Sequence, residues 1–398
     1  MTEIKPERHP AAVHAVRTAM RSILDLVFVA PLLVCALIAR FVPKKIEIGL
    51  GPVPIINSVY HKQALAKFGH GAEIFVDSVW YYSFGYDYAP EALLNGWRRA
   101  FLPYWLTART LFRYRTLYTY FDGGPLRSTA WLYQLEPVIL KIAGIRTVIM
   151  AFGADVFDLT RAPNPYFVHA MAMDYPAHRF LRRRIERKID LWTYWADHIV
   201  SGVDWVYYMP YWDTLTLGHF AIDTEKVRLA APKNESGTSD PLRILHAPNH
   251  RTLKGSQFLV DAVKELKSEG LSLELTLLEQ RPNTEVLAAI AAADLVVDQL
   301  VVGWYAMFAL ESMALSTACI CYIDPDLEKL YVRAGLLDPG EMPLISATPE
   351  TIKNDLRRLC LNRSDLAACG RRGRAYVEKH HSLDAIGRIF NDIQKSLR

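Results

Sequence analysis

The chain has 398 residues, 51% of them hydrophobic and 22% charged, with a formal net charge of +4. The apolar content excludes a disordered chain, and the length suggests two domains of about 100 to 200 residues each. Five scattered cysteines (Cys35, Cys319, Cys321, Cys360, Cys369), an odd number, exclude a disulfide-stapled secreted fold, and the small net charge makes no case for nucleic acid by itself.

The first element in chain order is apolar. Residues 23–42 read ILDLVFVAPLLVCALIARFV, interrupted by Asp25, Pro31 and Arg40. The stretch free of charge, 26–39, makes a helix about 21 Å long, short of a bilayer core of about 30 Å. Arg40, Pro43, Lys44 and Lys45 stand where a signal peptide carries small residues, which argues against cleavage. Lys5, Arg8, Arg17 and Arg21 precede the segment, and Arg40, Lys44 and Lys45 follow it. A span shows its basic excess on one side, so the pattern predicts a dip into the membrane that returns, kinked at Pro31, with both ends in the cytosol. The spelling also resembles the re-entrant anchor of bacterial sugar-phosphate transferases. A buried core helix and a true span are the competing readings.

Residues 92–121 contain no acid. They hold Arg98, Arg99, Arg109, Arg113 and Arg115 among rings running from Trp97 to Phe121. Arginines interleaved with aromatic rings suit an anionic headgroup interface, and equally a single nucleic-acid strand. No RNP, KH or helix-turn-helix spelling accompanies them, so the expected partner is a membrane surface and not nucleic acid. A second basic run, 178–188, reads as a solvated helix face or as an extension of that patch.

From residue 46 strands and helices alternate. Strands are predicted at 46–50, 72–76, 116–121, 147–152 and 198–201, with the first intervening helix at 58–68. The turn-rich stretch PKNESGTSDP at 232–241 marks a linker. Strands follow at 242–247, 273–278, 295–297 and 318–323, and helices at 256–268, 284–292 and 306–314. Thr348-Pro349, Ser364 and Ser382 read as caps of later helices. This alternation predicts an α/β chain of two Rossmann-like domains whose parallel sheets face a cleft. The predicted units are a membrane-associated segment 1–45, an acceptor-side domain 46–235 and a nucleotide-binding domain 240–398. The last helix is a candidate to cross back onto the first domain.

In such sheets ligands gather where strands end and helices begin. At 247–255 (APNHRTLKG), Arg251 and Lys254 can turn toward a helix N-terminus, where free N–H groups favour a diphosphate. Solvated loop cations are the plainer alternative. Glu311 lies in the apolar stretch FALESMAL, where an unpaired carboxylate is costly, so it requires a partner; a ligand hydroxyl is one candidate. Asp155, just past a strand end, suits either acceptor contact or the capping of its own turn. Asp324-Pro-Asp326 reads as a proline turn rather than a metal motif. Cys319 and Cys321 fall on opposite faces of one strand, and Pro248 breaks any helical pairing of His246 with His250, so no metal site is expected. His380-His381 reads as an exposed helix end. Gly49-Leu-Gly51 lacks the third glycine of a dinucleotide fingerprint.

Taken in order, H-R-x-x-K-G at 250–255, A-D-L-V-V-D-Q at 293–299 and G-W-Y-A-x-x-A-L-E-S-M-A at 303–314 resemble a family 4 glycosyltransferase. The likeness extends over 46–398 through Gly49-Leu-Gly51-Pro52 and Phe152-Gly-Ala-Asp155. It implies a GT-B fold, a nucleotide-sugar donor, retention of configuration, and neither metal nor cofactor. By the same resemblance Arg251 and Lys254 hold the donor diphosphate and Glu311 bonds the ribose. Amides at Gly51 and at Ala306 and Met307 complete the phosphate cradle, with His250 and Asp298 in the donor-side set. Arg251, Lys254 and Asp155 are the catalytic candidates. The chain also departs from the pattern: Gly303 replaces the first of two glutamates eight positions apart, leaving Asp298 as a candidate substitute. Ala306 and Ser316 stand where glycines are usual, and Phe152 where many relatives have histidine. The expected function is sugar transfer to a lipid-linked (polyprenyl diphosphate) acceptor in surface polysaccharide synthesis, at the cytoplasmic face of the inner membrane. The alternative is a membrane-bound nucleotide-sugar-binding scaffold with impaired catalysis.

Overall fold

The computed structural model describes residues 11–79, 85–90, 95–229 and 241–397, so the linker expected at 232–241 lies outside them except for Pro241. Helix α1 (Ala11–Ala39) precedes a first lobe of β1 (Ile46–Leu50), α2 (Asn57–Lys67), β2 (Ala72–Ile74), α3 (Leu102–Arg113), β3 (Tyr114–Tyr120), α4 (Glu136–Ile142), β4 (Arg146–Met150), α5 (Pro165–Asp174), α6 (Arg182–Trp195), β5 (His198–Gly202) and β6 (Thr214–Thr216). Its strands form one parallel sheet in the order β2-β1-β3-β4-β5-β6. The second lobe runs β7 (Leu242–His246), α7 (Arg251–Lys254), α8 (Ser256–Ser268), β8 (Leu273–Leu277), α9 (Asn283–Ala292), β9 (Leu295–Val297), α10 (Met307–Ala314), β10 (Ala318–Ile320), α11 (Pro325–Arg333), α12 (Ile352–Leu361), α13 (Ser364–His380) and α14 (Leu383–Ser396). Its sheet, also parallel, is ordered β10-β9-β7-β8. Runs such as Thr147–Met150 and Leu295–Val297 are buried throughout, as strands covered by helices on both faces require.

Several local expectations shift. Ser382 caps α14 by accepting from the Ala385 N–H at 3.2 Å. Ser364 is instead the first residue of α13, and α12 begins at Ile352, three residues beyond the Thr348-Pro349 pair. The Thr348 carbonyl accepts from Thr351 and Ile352 in the turn that leads into it. Asp324 does cap α11, through the Asp326 N–H at 2.9 Å, with Pro325 as the first helical residue.

Helix α14 leaves the second lobe and packs on α2. Phe390 and Ile386 join Ile48, Ala64 and Ile74 in one core cluster. Gly387 lies so close to α2 that a Cβ there would fall 2.6 Å from the Ala64 carbonyl oxygen. His381, expected at an exposed helix end, is fully buried at the start of this crossing. Its Nδ1 donates to the Phe220 carbonyl (2.9 Å) and its Nε2 accepts from the Tyr305 hydroxyl (2.8 Å). Burial pushes its pKa down to about 4, so the ring is neutral where it joins the lobes.

Helix α1 is continuous through Pro31 and about 44 Å long, so the chain does not dip and return there. One face, carrying Asp25, Leu32, Ala36 and Ala39, is buried against the first lobe. Asp25 accepts from the Tyr104 hydroxyl (2.6 Å) and from the Trp131 and Leu132 N–H groups (2.8 and 3.0 Å). Three hydrogen bonds explain why an acid interrupts the apolar run: it fastens the helix to the lobe. The opposite face, with Ile23, Leu26, Val27, Val34, Leu37 and Ile38, is apolar and exposed, as is Phe41 just beyond the helix.

The segment 92–121 divides. Tyr104, Tyr114, Tyr118, Tyr120 and Phe121 are core residues, and Arg109 and Arg113 are committed to Glu73. Burial would raise the Glu73 carboxyl, but Arg113, Tyr114 and Arg109 hold it at about 2. Trp97, Arg98, Arg99 and Trp105 remain exposed. The basic run on α6 is likewise not wholly solvated: Lys188 is buried, with its ammonium 2.5 Å from the Asp122 carboxylate.

Candidate active site

The turn from β7 into α7 places Arg251 and Lys254 on one helical turn that ends at Gly255 in the left-handed conformation (φ 72°). The two cations then part. Lys254 points inward, its Nζ 2.6 Å from Asp298 Oδ1 and 3.0 Å from Gln299 Oε1. Arg251 lies on the outside and grips Glu279 through Nε (2.8 Å) and one terminal nitrogen (2.5 Å). Asp298, at the end of β9, is completely buried as the counter-ion of Lys254, so it does not stand in for the carboxylate absent at 303. An ammonium with two of its three donors engaged keeps one for a ligand.

Glu311 lies on the second turn of α10, 7% exposed. Asn283, at the start of α9, donates to its Oε1 at 2.9 Å. Burial, together with the nearby charge of Asp298, pushes the carboxyl up to about 8, so it holds its proton at neutral pH. Tyr60 of α2 faces it from the first lobe: burial, then the charges of Glu311 and Asp223, raise that phenol to about 12. Glu311 therefore sits at the seam between the lobes. Ala306, extended at φ −134°, precedes Met307 at the α10 N-terminus, where no side chain caps the first N–H groups. Such an end attracts an anion.

The substitution at 303 has a steric basis. A Cβ at Gly303 would lie 3.0 Å from the Asp324 Cβ, and the Gly303 carbonyl accepts from the Asp324 N–H at 2.8 Å. Asp324 fills the space and accepts from the Tyr207 hydroxyl at 2.9 Å.

The remaining candidates separate from this cluster. The Gly51 N–H, expected in the phosphate cradle, donates to the Tyr118 carbonyl at 3.2 Å. Gly51 is required for another reason: with φ 155°, a Cβ would fall 2.1 Å from the Phe75 carbonyl oxygen. His250 precedes α7 and packs on Tyr175 of the first lobe, ring centres 4.6 Å apart. Asp155 closes its own turn, Oδ1 accepting from the Phe152 and Gly153 N–H groups at 2.9 and 3.0 Å. Its buried Oδ2 has no hydrogen-bond partner among the described residues, and burial pushes the carboxyl up to about 7.

Below the end of β4, sequence reasoning missed a buried histidine pair, one of which bonds Ala151. His61 Nε2 lies 2.7 Å from the His219 carbonyl oxygen, and His219 donates to the Ala151 carbonyl at 2.7 Å. Burial lowers the pair to about 3 and about 4, and both rings are neutral. As the two are 158 positions apart, no spacing motif links them. The seam itself is tied by Leu253 N–H to Asp174 (2.8 Å), Asn164 to the Val301 carbonyl (2.9 Å) and Tyr331 to the Val203 carbonyl (2.6 Å).

No protein-family model matches the chain, and no curated protein matches it in sequence. Solved structures do. An alpha-glucosyltransferase in complex with UDP and a 13-mer DNA containing a HMU base aligns over 88% of this chain and 99% of its own, with 14% identity and a TM-score of 0.55. A putative UDP-N-acetylglucosamine 2-epimerase from Listeria monocytogenes aligns over 89% and 97%, with 10% identity and a TM-score of 0.51. The chain thus has the two-lobed GT-B fold, as its two parallel sheets of six and four strands indicate. A protein of this fold holds DNA, which weakens the exclusion of nucleic acid drawn from missing motifs.

Proposed function

We propose that this chain is a retaining, metal-independent glycosyltransferase that moves a sugar from a nucleotide donor to a lipid-linked (polyprenyl diphosphate) acceptor in surface polysaccharide synthesis. It would work at the cytoplasmic face of the inner membrane. The observation that carries the reading is the buried Lys254–Asp298 pair beside Glu311, on the element whose uncapped N-terminus opens at the lobe seam. As a sugar leaves a nucleoside diphosphate, negative charge grows on the diphosphate. A cation fixed by Asp298 and Gln299 needs no reorganisation to meet it, and each such donor is worth about 3 kcal/mol. Neutral Glu311 can bond a ribose hydroxyl as donor or acceptor. UDP and UDP-glucose in the alpha-glucosyltransferase structures favour uridine donors. The exposed apolar face of α1 favours a membrane-held acceptor.

The test pairs a thermal-shift screen of UDP-, GDP-, dTDP- and ADP-sugars with donor hydrolysis. Saturating donor, at 100 times its dissociation constant, should stabilise the protein by about 2.7 kcal/mol. Lys254→Ala should abolish turnover and strand Asp298, while Lys254→Ala/Asp298→Asn should recover stability without turnover. Turnover by the double variant at the wild-type rate would refute the role of Lys254. A second reading, a donor-binding scaffold, is favoured by Gly303; it predicts a thermal shift with no hydrolysis or transfer to a lipid or DNA acceptor.

A further inference from the structure

A cavity of 580 Å³ opens beside α1, away from Lys254 and Glu311. Its wall includes Arg17, Arg21, Trp97, Arg99, Tyr104 and Arg127. Arg17 and Arg21 lie eight and four residues before Asp25, on the face of α1 that Asp25 turns toward the lobe, so both reach over the lobe's edge. Arg127, in the loop after β3, is clamped by Asp77, which follows β2, at 2.6 and 2.9 Å, and by Asp122. Asp122 in turn holds Lys188, so that group of four charges balances internally. Asp25 is turned behind Tyr104 into its amides. The guanidinium groups of Arg17, Arg21 and Arg99 have no ion-pair or hydrogen-bond partner among the described residues. Among the described residues the cavity is therefore cationic, its one lining carboxylate, Asp77, being committed to Arg127.

Two features select its ligand. The loops carrying Asp77 and Arg127 leave the carboxyl ends of β2 and β3, the same sheet edge at which Asp155 follows β4. The cavity thus lies at the same end of the first-lobe sheet as the Asp155 turn. Met20 of its lining belongs to the exposed apolar face of α1, which runs from Val16 to Ile38 and continues to Phe41 just beyond the helix. A ligand matching both must carry a compact polyanion joined to a long apolar chain.

We propose that this cavity receives the phosphate or diphosphate group of an isoprenoid-type lipid whose chain lies along the apolar face of α1. Arg17, Arg21 and Arg99 bind the anion, Trp97 lies at the interface, and Arg127 is fixed as a floor by its two aspartates. This rests on the lipid-acceptor reading above and gives that acceptor a place: the charged group is held on the first lobe while the adjoining sugar reaches the seam.

Calorimetric titration of the full chain in neutral detergent tests it, with farnesyl diphosphate, farnesol and inorganic pyrophosphate as probes. The variant Arg17→Gln/Arg99→Gln is compared with Arg115→Gln, which removes an exposed arginine outside the cavity. Farnesyl diphosphate should bind the double variant at least about tenfold more weakly, the loss of charged hydrogen bonds, and bind Arg115→Gln unchanged. Equal binding to wild type and double variant overturns the site. Pyrophosphate binding as tightly as farnesyl diphosphate overturns the role of the chain. Phosphatidylcholine vesicles containing phosphatidylglycerol that displace farnesyl diphosphate assign the cavity to bulk headgroups and overturn the isoprenoid choice. Failure here is separable from failure of the transferase reading. If no nucleotide sugar shifts the melting point yet farnesyl diphosphate still binds with arginine dependence, the transferase falls and the cavity stands.

Discussion

Replacing Glu311 with glutamine should change how stability depends on pH. The unfolded carboxyl has an ordinary value near 4.5, and burial with the charge of Asp298 raises it to about 8 in the folded chain. Between those values the folded state keeps a proton that the unfolded chain releases, so stability falls as pH rises. Below the unfolded value the group contributes nothing to the slope, and above about 8 its loss is complete. From pH 5.5 to 7.5 the slope is about 1.4 kcal/mol per pH unit, a loss of about 3 kcal/mol from this one group. Glutamine keeps an acceptor for Asn283 and has no proton to release. In urea unfolding, Glu311→Gln should therefore gain about 3 kcal/mol on wild type between pH 5.5 and 7.5. Asp155, Asp204 and Glu136, also raised to about 7 by burial, keep their slopes in both proteins. A stability difference that stays constant over this range would refute the burial of an ionisable Glu311 at the seam.

Asp25→Ala removes the acceptor of three hydrogen bonds and should cost about 3 to 5 kcal/mol in chemical denaturation. Gly51→Ala drives a Cβ into the Phe75 carbonyl and should cost more than about 3 kcal/mol, read as a lowered melting temperature. Leu37→Glu/Phe41→Glu changes only the outward face of α1; the melting point should hold while flotation with anionic vesicles is lost.

What the spelling made legible was what depends on local pattern. Strands such as Ile46–Leu50 and Leu295–Val297 and helix Ser256–Ser268 follow from apolar periodicity and turn residues, and the two-lobed fold follows from their alternation. The demand that Glu311 find a partner was also legible, because an acid in an apolar helix is conspicuous whatever surrounds it. Partner identity was not. Lys254 and Asp298 are 44 positions apart, and only the parallel neighbours β7 and β9 bring them together. The arginines of 92–121 read as membrane-facing because Glu73, which neutralises two of them, lies on β2, outside that segment. Gly51 was recognised as special, but its close approach to the Phe75 carbonyl, which by itself requires glycine, was not legible. The face of α1 that Asp25 holds down was invisible until Trp131 and Leu132 were folded against it.

The return of α14 to the first lobe has a consequence for synthesis on the ribosome. Phe390 and Ile386 fill a core whose other members, Ile48, Ala64 and Ile74, emerge more than three hundred residues earlier. The amino-terminal lobe must wait, incompletely filled, through translation of the whole second lobe. A nascent chain stalled before residue 383 should expose the apolar side of α2 to chaperones, and release of the final helix should close both lobes together.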